Sequence, residues 1–217
     1  RIDAWMLARM AETLRPAQRP LPSAEQAELT AWSQRRRQLV DLRKTERQRL
    51  SDTRNPDIAD QIRDVIETLS QLIEQTEARI DQLIAAHDQF RAKQRLLRSV
   101  KGVGPVASAA ILAEMPELGS ITNKQAASLL GVAPHACDPG KYRGRRRCWG
   151  GRRALRQTLY MAAETARRYG TFKTTYENLR SAGKSHKLAV IAVLRKLITT
   201  LNAILRDAQP YKPKHSC

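Results

Sequence analysis

Between Ala133 and Arg156 the chain reads APHACDPGKYRGRRRCWGGRRALR, and from Lys141 onward eight Lys and Arg side chains follow with no acid among them. The chemistry open to such a run is the neutralisation of a polyanion, because guanidinium and ammonium groups bind phosphates. Gly140, Gly144, Gly150 and Gly151, with Tyr142 and Trp149, interrupt the charge. That spacing describes a shaped loop whose backbone can approach a phosphate, in contrast to a solvated tail. A thiolate at Cys137 would be a nucleophile beside the arginines, but a reduced loop thiol is the preferred reading. His135, Cys137 and Cys148 lack a fourth ligand and the spacing of a structural zinc site.

The elements that must hold this loop are helical. A helix predicted over Ala154 to Tyr169 starts directly at the loop, which places the loop on a helix N-terminus, itself an anion site. Leu155, Leu159, Met161, Ala162 and Ala166 are its expected buried face. Upstream, Leu96 to Met115 sets Gly102-Val103-Gly104-Pro105 between two apolar helical runs, the pattern of a helix-hairpin-helix. Its turn can present backbone N–H groups to a DNA phosphate without reading sequence, and Lys101 adds charge beside it. An ordinary tight turn between helices has the same spacing, and the flanks and overall charge favour the phosphate reading. A last amphipathic helix, His186 to Arg206, carries Leu188, Val190, Val193, Leu197 and Leu201 inward, and Lys184 and Lys187 extend the basic surface. The expected DNA contacts are therefore Lys101, Gly102 and Gly104 at the turn and Gly140, Lys141, Arg143, Arg145, Arg146, Arg147, Arg152 and Arg153 at the loop. Lys184 and Lys187 complete the set.

Composition agrees with this frame. Lys and Arg outnumber Asp and Glu 39 to 21, giving a net charge of +18 and a pI near 10.6, which attracts nucleic acid or an anionic membrane surface. The 217 residues are 41% hydrophobic and only 5% aromatic, with few β-branched runs, so a mainly α protein with a true core is expected. No apolar stretch reaches the roughly 20 residues that span a bilayer, and three cysteines without CxxC spacing favour reduced thiols. A soluble, cytoplasmic, nucleoid-associated protein with no membrane partner is the expectation. The chain opens without Met, at Arg1, which reads as a fragment or trimmed chain.

Arg1 to Leu14 places Ile2, Trp5, Met6, Met10 and Leu14 at helical spacing before Pro16, Pro20 and Pro22. Ser23 and Gln26 form a capping-box signature for a long helix to about Thr53, with Leu29, Trp32, Leu39, Leu42 and Leu50 inward. After Arg54-Asn55-Pro56 comes a helix with Ile66, Ile73, Ile80 and His87 at seven-residue spacing, interleaved with Ile62, Leu69, Thr76, Leu83 and Phe90. These are heptad a and d positions, and the short turn favours an antiparallel coiled-coil hairpin. Thr122 caps a helix that Gly131 ends. The expected domains are 1–22, 23–95 (the hairpin), 96–208 (a compact helical domain) and a disordered tail, 209–217.

Three stretches together, LLRSVKGVGPVASAAILAEM, LLGVAPHACDPGKYRGRRRCWGGRRALRQTLYMAA and AGKSHKLAVIAVLRKLITTLNAILR, closely resemble the carboxy-terminal domain of the IS-one-ten family of DEDD transposases, insertion-sequence recombinases guided by a bridge RNA. RIDAWMLARMAETLRP resembles the end of that family's resolvase-like domain. The resemblance implies site-specific DNA recombination by strand exchange, with DNA, a structured guide RNA and further copies of the chain (dimer or tetramer, through the coiled coil) as partners. It implies a Mg²⁺ site of several carboxylates, of which Asp3 is the last and the only one here. One carboxylate does not build the near-octahedral oxygen site of Mg²⁺, so none is expected to bind well to this chain alone. It also implies a serine nucleophile in an Ala-Pro-x-x-x-Asp-Ser-Gly-Lys segment. Here Ala133 to Lys141 has Pro139 at that place, and no serine occurs between Ser128 and Ser181. Proline offers no nucleophile, so a cleavage-defective transposase is the leading expectation and a non-enzymatic nucleic-acid-binding helical protein the alternative. A basic protein of ribosomal or chromatin type fits the ordered loop less well.

Overall fold

A computed structural model of the chain describes residues 2–15, 21–135, 147–170 and 172–212, and almost every ordered element in them is helical. Helix α1 (Ile2–Leu14) leaves Trp5, Met6, Met10 and Leu14 exposed and touches no other element among the described residues. Helix α2 (Ala24–Asp52) starts where the Ser23 hydroxyl accepts the Gln26 N–H at 3.2 Å. The reciprocal half of the expected capping box is missing. Gln26 instead donates its side-chain amide to the Leu112 carbonyl at 3.0 Å, fastening α2 to the core. Asn55 caps α3 (Pro56–Ala86) by accepting the Asp57 N–H at 2.9 Å, and Pro56 takes the first turn, where its missing N–H costs nothing.

Contacts between α2 and α3 run in opposite order along the two helices: Glu28 with Arg79 at 2.9 Å, Arg36 with Glu77 at 2.6 Å, and Arg43 with Ser70 at 3.1 Å. The two helices therefore lie antiparallel. Ile73, Thr76, Ile80 and Leu83 of the heptad are buried, whereas Ile62, Ile66 and Leu69 toward the turn are half-buried. Two details depart from the heptad reading. Leu42 is half exposed because its position faces away from α3. The helix also stops at His87, whose extended backbone (φ −114°, ψ 113°) begins a new helix, α4 (Asp88–Arg98). The His87 and Phe90 rings meet edge to face at 5.6 Å across that break, so the two last heptad positions pack on each other and not along the seam.

The core is assembled around α5 (Pro105–Glu114) and α9 (His186–Asp207). Small residues make α5 buried on all sides from Ala107 to Ala113. Helix α9 is long and apolar enough to cross a membrane, contrary to the expectation from sequence that no such stretch exists. Its apolar side is the core itself: Val193, Leu194, Leu197, Ile198 and Leu201 are fully buried, each worth about 1.5–3 kcal/mol of transfer free energy. Leu188, expected inward, is half exposed at the first turn. Around this pair sit α4, α6 (Asn123–Leu130), α7 (Arg153–Tyr169) and α8 (Lys173–Ser181), while Leu29, Ile80 and Ile84 join the α2–α3 pair to the same cluster. Both halves of a capping box are present at Thr122 and Gln125, and Gly131 closes α6 in the left-handed region. The start of the tail is not free, since Tyr211 is half-buried and donates its N–H to the Ser99 hydroxyl at 2.8 Å.

Candidate nucleic-acid interface

Two short strands, β1 (Pro134–His135) and β2 (Arg147–Cys148), pair antiparallel and bring together the two ends of the basic loop. Two-residue strands carry too little alternation to be read from sequence. The expected positions Pro139, Gly140, Lys141, Arg143, Arg145 and Arg146, with Cys137, lie outside the described residues. The root of the loop can be described. The His135 and Trp149 rings pack at a tilt of 52° with centroids 5.3 Å apart, and Trp149 is largely exposed. Below them Gly131 and Gly151 cross back to back. Both hold positive φ (76° and 65°), and a Cβ on Gly151 would lie 2.6 Å from the Leu129 carbonyl oxygen. Only glycine fits so close an approach of two backbones.

One guanidinium locks this crossing. Arg156 points Nη1 at the carbonyls of Gly150 (2.6 Å), Leu130 (3.0 Å) and Gly131 (3.4 Å), joining the end of α6 to the turn before α7. Arg152, expected to face DNA, is engaged elsewhere: it pairs with Glu117 at 2.5 Å, is one-third exposed, and donates its backbone N–H to Leu129 at 2.8 Å. Neither partner is visible in sequence, because both lie more than twenty residues from the arginine. Arg147 and Arg153, in contrast, are exposed at the loop root and the first turn of α7.

Near this root Glu114 is paired with Arg37 at 3.1 Å, and burial holds its carboxyl above the ordinary value against the opposing pull of Arg37 and Arg152. The folded state thus keeps the proton to higher pH than the unfolded chain does. That favourable contribution is complete below the ordinary value of 4.5 and is lost as pH rises through the raised one. Glu114→Gln should therefore gain stability relative to the parent chain on going from pH 4 to pH 7. Paired thermal melts would show this, and a constant difference in midpoint would refute it.

The turn Gly102-Val103-Gly104 joins α4 to α5 but stands apart from the loop. Gly102 (φ 108°) lies against α7: a Cβ there would fall 2.8 Å from the Ala166 nitrogen and 2.9 Å from the Ala166 Cβ. Close packing on a helix some sixty residues away accounts for that glycine, whereas Gly104 borders open space. From Arg153 at the loop root to Ala166 is 13 residues of helix, about 20 Å. Of the cations expected to contact DNA, those described therefore gather at two poles of α7. At the C-terminal pole, a Cβ on Gly170 would be 3.4 Å from that of Lys101, and His186 Nε2 lies 3.2 Å from Glu164 Oε1. This brings Lys101, Lys184 and Lys187 to one end, all exposed and joined there by Arg168, which sequence reading missed. Met161, expected inside, is exposed on the flank between the poles.

Asp3 is exposed in the first turn of α1, and no group of three His, Cys, Asp or Glu converges among the described residues. A lone exposed carboxylate does not fit a Mg²⁺ ion.

Fold and surface define a mainly helical, strongly basic protein in which exposed cations stand at the root of the basic loop, Arg147 and Arg153, and at the far end of the helix that follows it. Residues 94–177 match the model of the Transposase IS116/IS110/IS902 family. Over this segment the chain is similar to that family of transposases. It is similar to the "Pilin gene-inverting protein" of Moraxella bovis, 29% identical over an alignment of 218 positions that covers 96% of this chain and 66% of that protein. It is also similar to the uncharacterized 44.8 kDa protein of insertion element IS116 from Streptomyces clavuligerus, 32% identical over 131 residues, 58% of this chain and 33% of the other. The 43.6 kDa protein of insertion element IS110 from Streptomyces coelicolor is 30% identical over 141 residues, 64% and 34% of the two chains. The chain thus spans just under two thirds of the Moraxella protein and about a third of the insertion-element proteins it matches.

Proposed function

We propose that this chain supplies the DNA-gripping part of an insertion-sequence transposase, acting in site-specific recombination by strand exchange, and that Pro139 makes it defective in strand cleavage. What supports the reading most is that the family match over residues 94–177 contains the whole basic loop, both strands at its root and the helix that carries it. Arg147 and Arg153 at one pole of α7, and Lys101, Lys184 and Lys187 at the other, would contact phosphates along one duplex. The spacing of about 20 Å corresponds to roughly six phosphates of one strand. The name of the Moraxella relative, an inverter of pilin genes, supports a rearrangement of DNA as the outcome. Further parts of the proposal are a structured guide RNA as second partner, assembly through the α2–α3 pair acting as a coiled coil, and a cytoplasmic site of action. A Mg²⁺ ion would be bound by carboxylates that this chain does not itself assemble.

The test joins Pro139→Ser to a complete amino-terminal family domain and presents supercoiled donor DNA. The serine variant is expected to form a covalent protein–DNA adduct visible on a denaturing gel, while the proline parent forms none. No adduct from the variant overturns the role of position 139. An adduct from the parent overturns the claim of defective cleavage. A non-enzymatic nucleic-acid binder is the second reading, favoured specifically by Pro139, and it predicts binding without an adduct in either protein.

A further inference from the structure

Away from both poles, α4 carries a third set of cations. Arg91, Arg95 and Arg98 follow at i, i+4 and i+7, so they share one face of the helix. With Gln94 and Ser99 they line a groove of about 450 Å³ in which no acidic and no aromatic side chain takes part. All three arginines are exposed. Arg91 meets Asp88 at the outer end, and Arg95 and Arg98 are in no ion pair among the described residues. Two arginines in a last helical turn are explained in part by the negative end of the helix, but that effect does not reach Arg91, two turns back. A second observation extends the cationic line. The hydrogen bond from the Tyr211 N–H to the Ser99 hydroxyl, 2.8 Å, brings exposed Lys212 to the Ser99 end of the groove.

We infer that this face of α4 is an additional, sequence-independent docking surface for the phosphate backbone of duplex DNA. Seven residues of helix set Arg91 and Arg98 about 10.5 Å apart along the axis, over which one DNA strand carries about three phosphates. Three guanidiniums therefore meet three charges without stretching. Gln94 supplies a neutral donor to the same backbone, and contacts of this kind position a duplex without reading it. The surface suits DNA better than RNA. A-form RNA is recognised mostly across its minor groove and by its 2′-hydroxyls, and single strands are held by stacking on aromatic rings, which the groove lacks.

This inference rests on the DNA-binding reading proposed above, and the test separates the two. Affinity of the full chain for a random 30-base-pair duplex is measured by fluorescence anisotropy between 50 and 200 mM salt, for the parent, for Arg91→Gln/Arg95→Gln/Arg98→Gln and for the single Arg95→Gln. Three lost phosphate contacts at about 0.9 each should flatten the log–log slope by roughly 2.7, so that the triple variant loses about 40-fold less affinity over that salt range. The single variant should flatten it by about one contact and guards against misfolding of the triple variant, which circular dichroism also checks. The matching Arg→Lys triple variant should keep the parental slope. A parent with no salt-dependent binding would overturn both readings. A salt-dependent parent whose slope is unchanged in the triple and single Gln variants would overturn this inference alone. Loss confined to a 30-base-pair RNA duplex, with DNA binding intact, would overturn it as well.

Discussion

Gly151→Ala should unseat the root of the basic loop. The added Cβ would meet the Leu129 carbonyl oxygen at 2.6 Å and the Gly131 Cα at 2.7 Å, both backbone atoms of the α6 terminus that cannot swing away. The residue also holds φ of 65°, a region that costs other residues roughly 1–2 kcal/mol. Together the clash and the strain should destabilise by roughly 3–5 kcal/mol, among the largest effects of single substitutions. At about 2–4 °C per kcal/mol for a chain of this length, the melting midpoint falls by about 10 °C. The neighbouring Gly150 (φ 73°) faces open space, so Gly150→Ala should show only the conformational cost, about 1–2 kcal/mol. Equal midpoints for the two variants would show that the glycine crossing is not what holds the loop.

Asn202→Leu should be comparably severe for a different reason. Asn202 is completely buried in α9 and uses its whole amide: Nδ2 donates to the Ile121 carbonyl at 2.8 Å and to Asn123 Oδ1 at 2.9 Å, while Oδ1 accepts the Gly119 N–H at 2.8 Å. It ties down the whole connection between α5 and α6. Leucine has a similar volume but leaves the partly buried Gly119 N–H and Ile121 carbonyl without partners, at up to about 1–3 kcal/mol each. A loss of roughly 3–5 kcal/mol is expected in urea unfolding. Hydrogen exchange at the Gly119 amide should rise by a larger factor than at α7 amides. A variant within 1 kcal/mol of the parent would mean that water replaces the amide.

Local signals were read well and distant ones were not, and particular residues show why. Thr122 with Gln125 and Gly131, Ser23, and Asn55 with Pro56 mark helix ends through contacts within four residues, so their spacing carries the information. Gln26 carries an equally good cap pattern, yet the Leu112 carbonyl, eighty-six positions away, takes its amide. Met161, Leu188 and Leu42 obey helical periodicity and still face outward, because periodicity assigns a face but not what lies opposite it. At the candidate site, Gly102 looked like a phosphate-binding glycine and is accounted for by contact with Ala166. Arg152 looked like a free cation and has Glu117 beside it. Charge counts identify how many cations exist, and only tertiary pairing decides which of them remain available.

Helix α7 imposes a condition on how such a protein can vary. Because the loop root sits at its first residue and the Lys101 pole near its last, one inserted residue would lengthen the gap by only about 1.5 Å but would swing one pole about 100° around the axis relative to the other. Distance is forgiving here and phase is not. Changes in the length of this helix that keep both poles on one side must come as whole turns, three or four residues at a time.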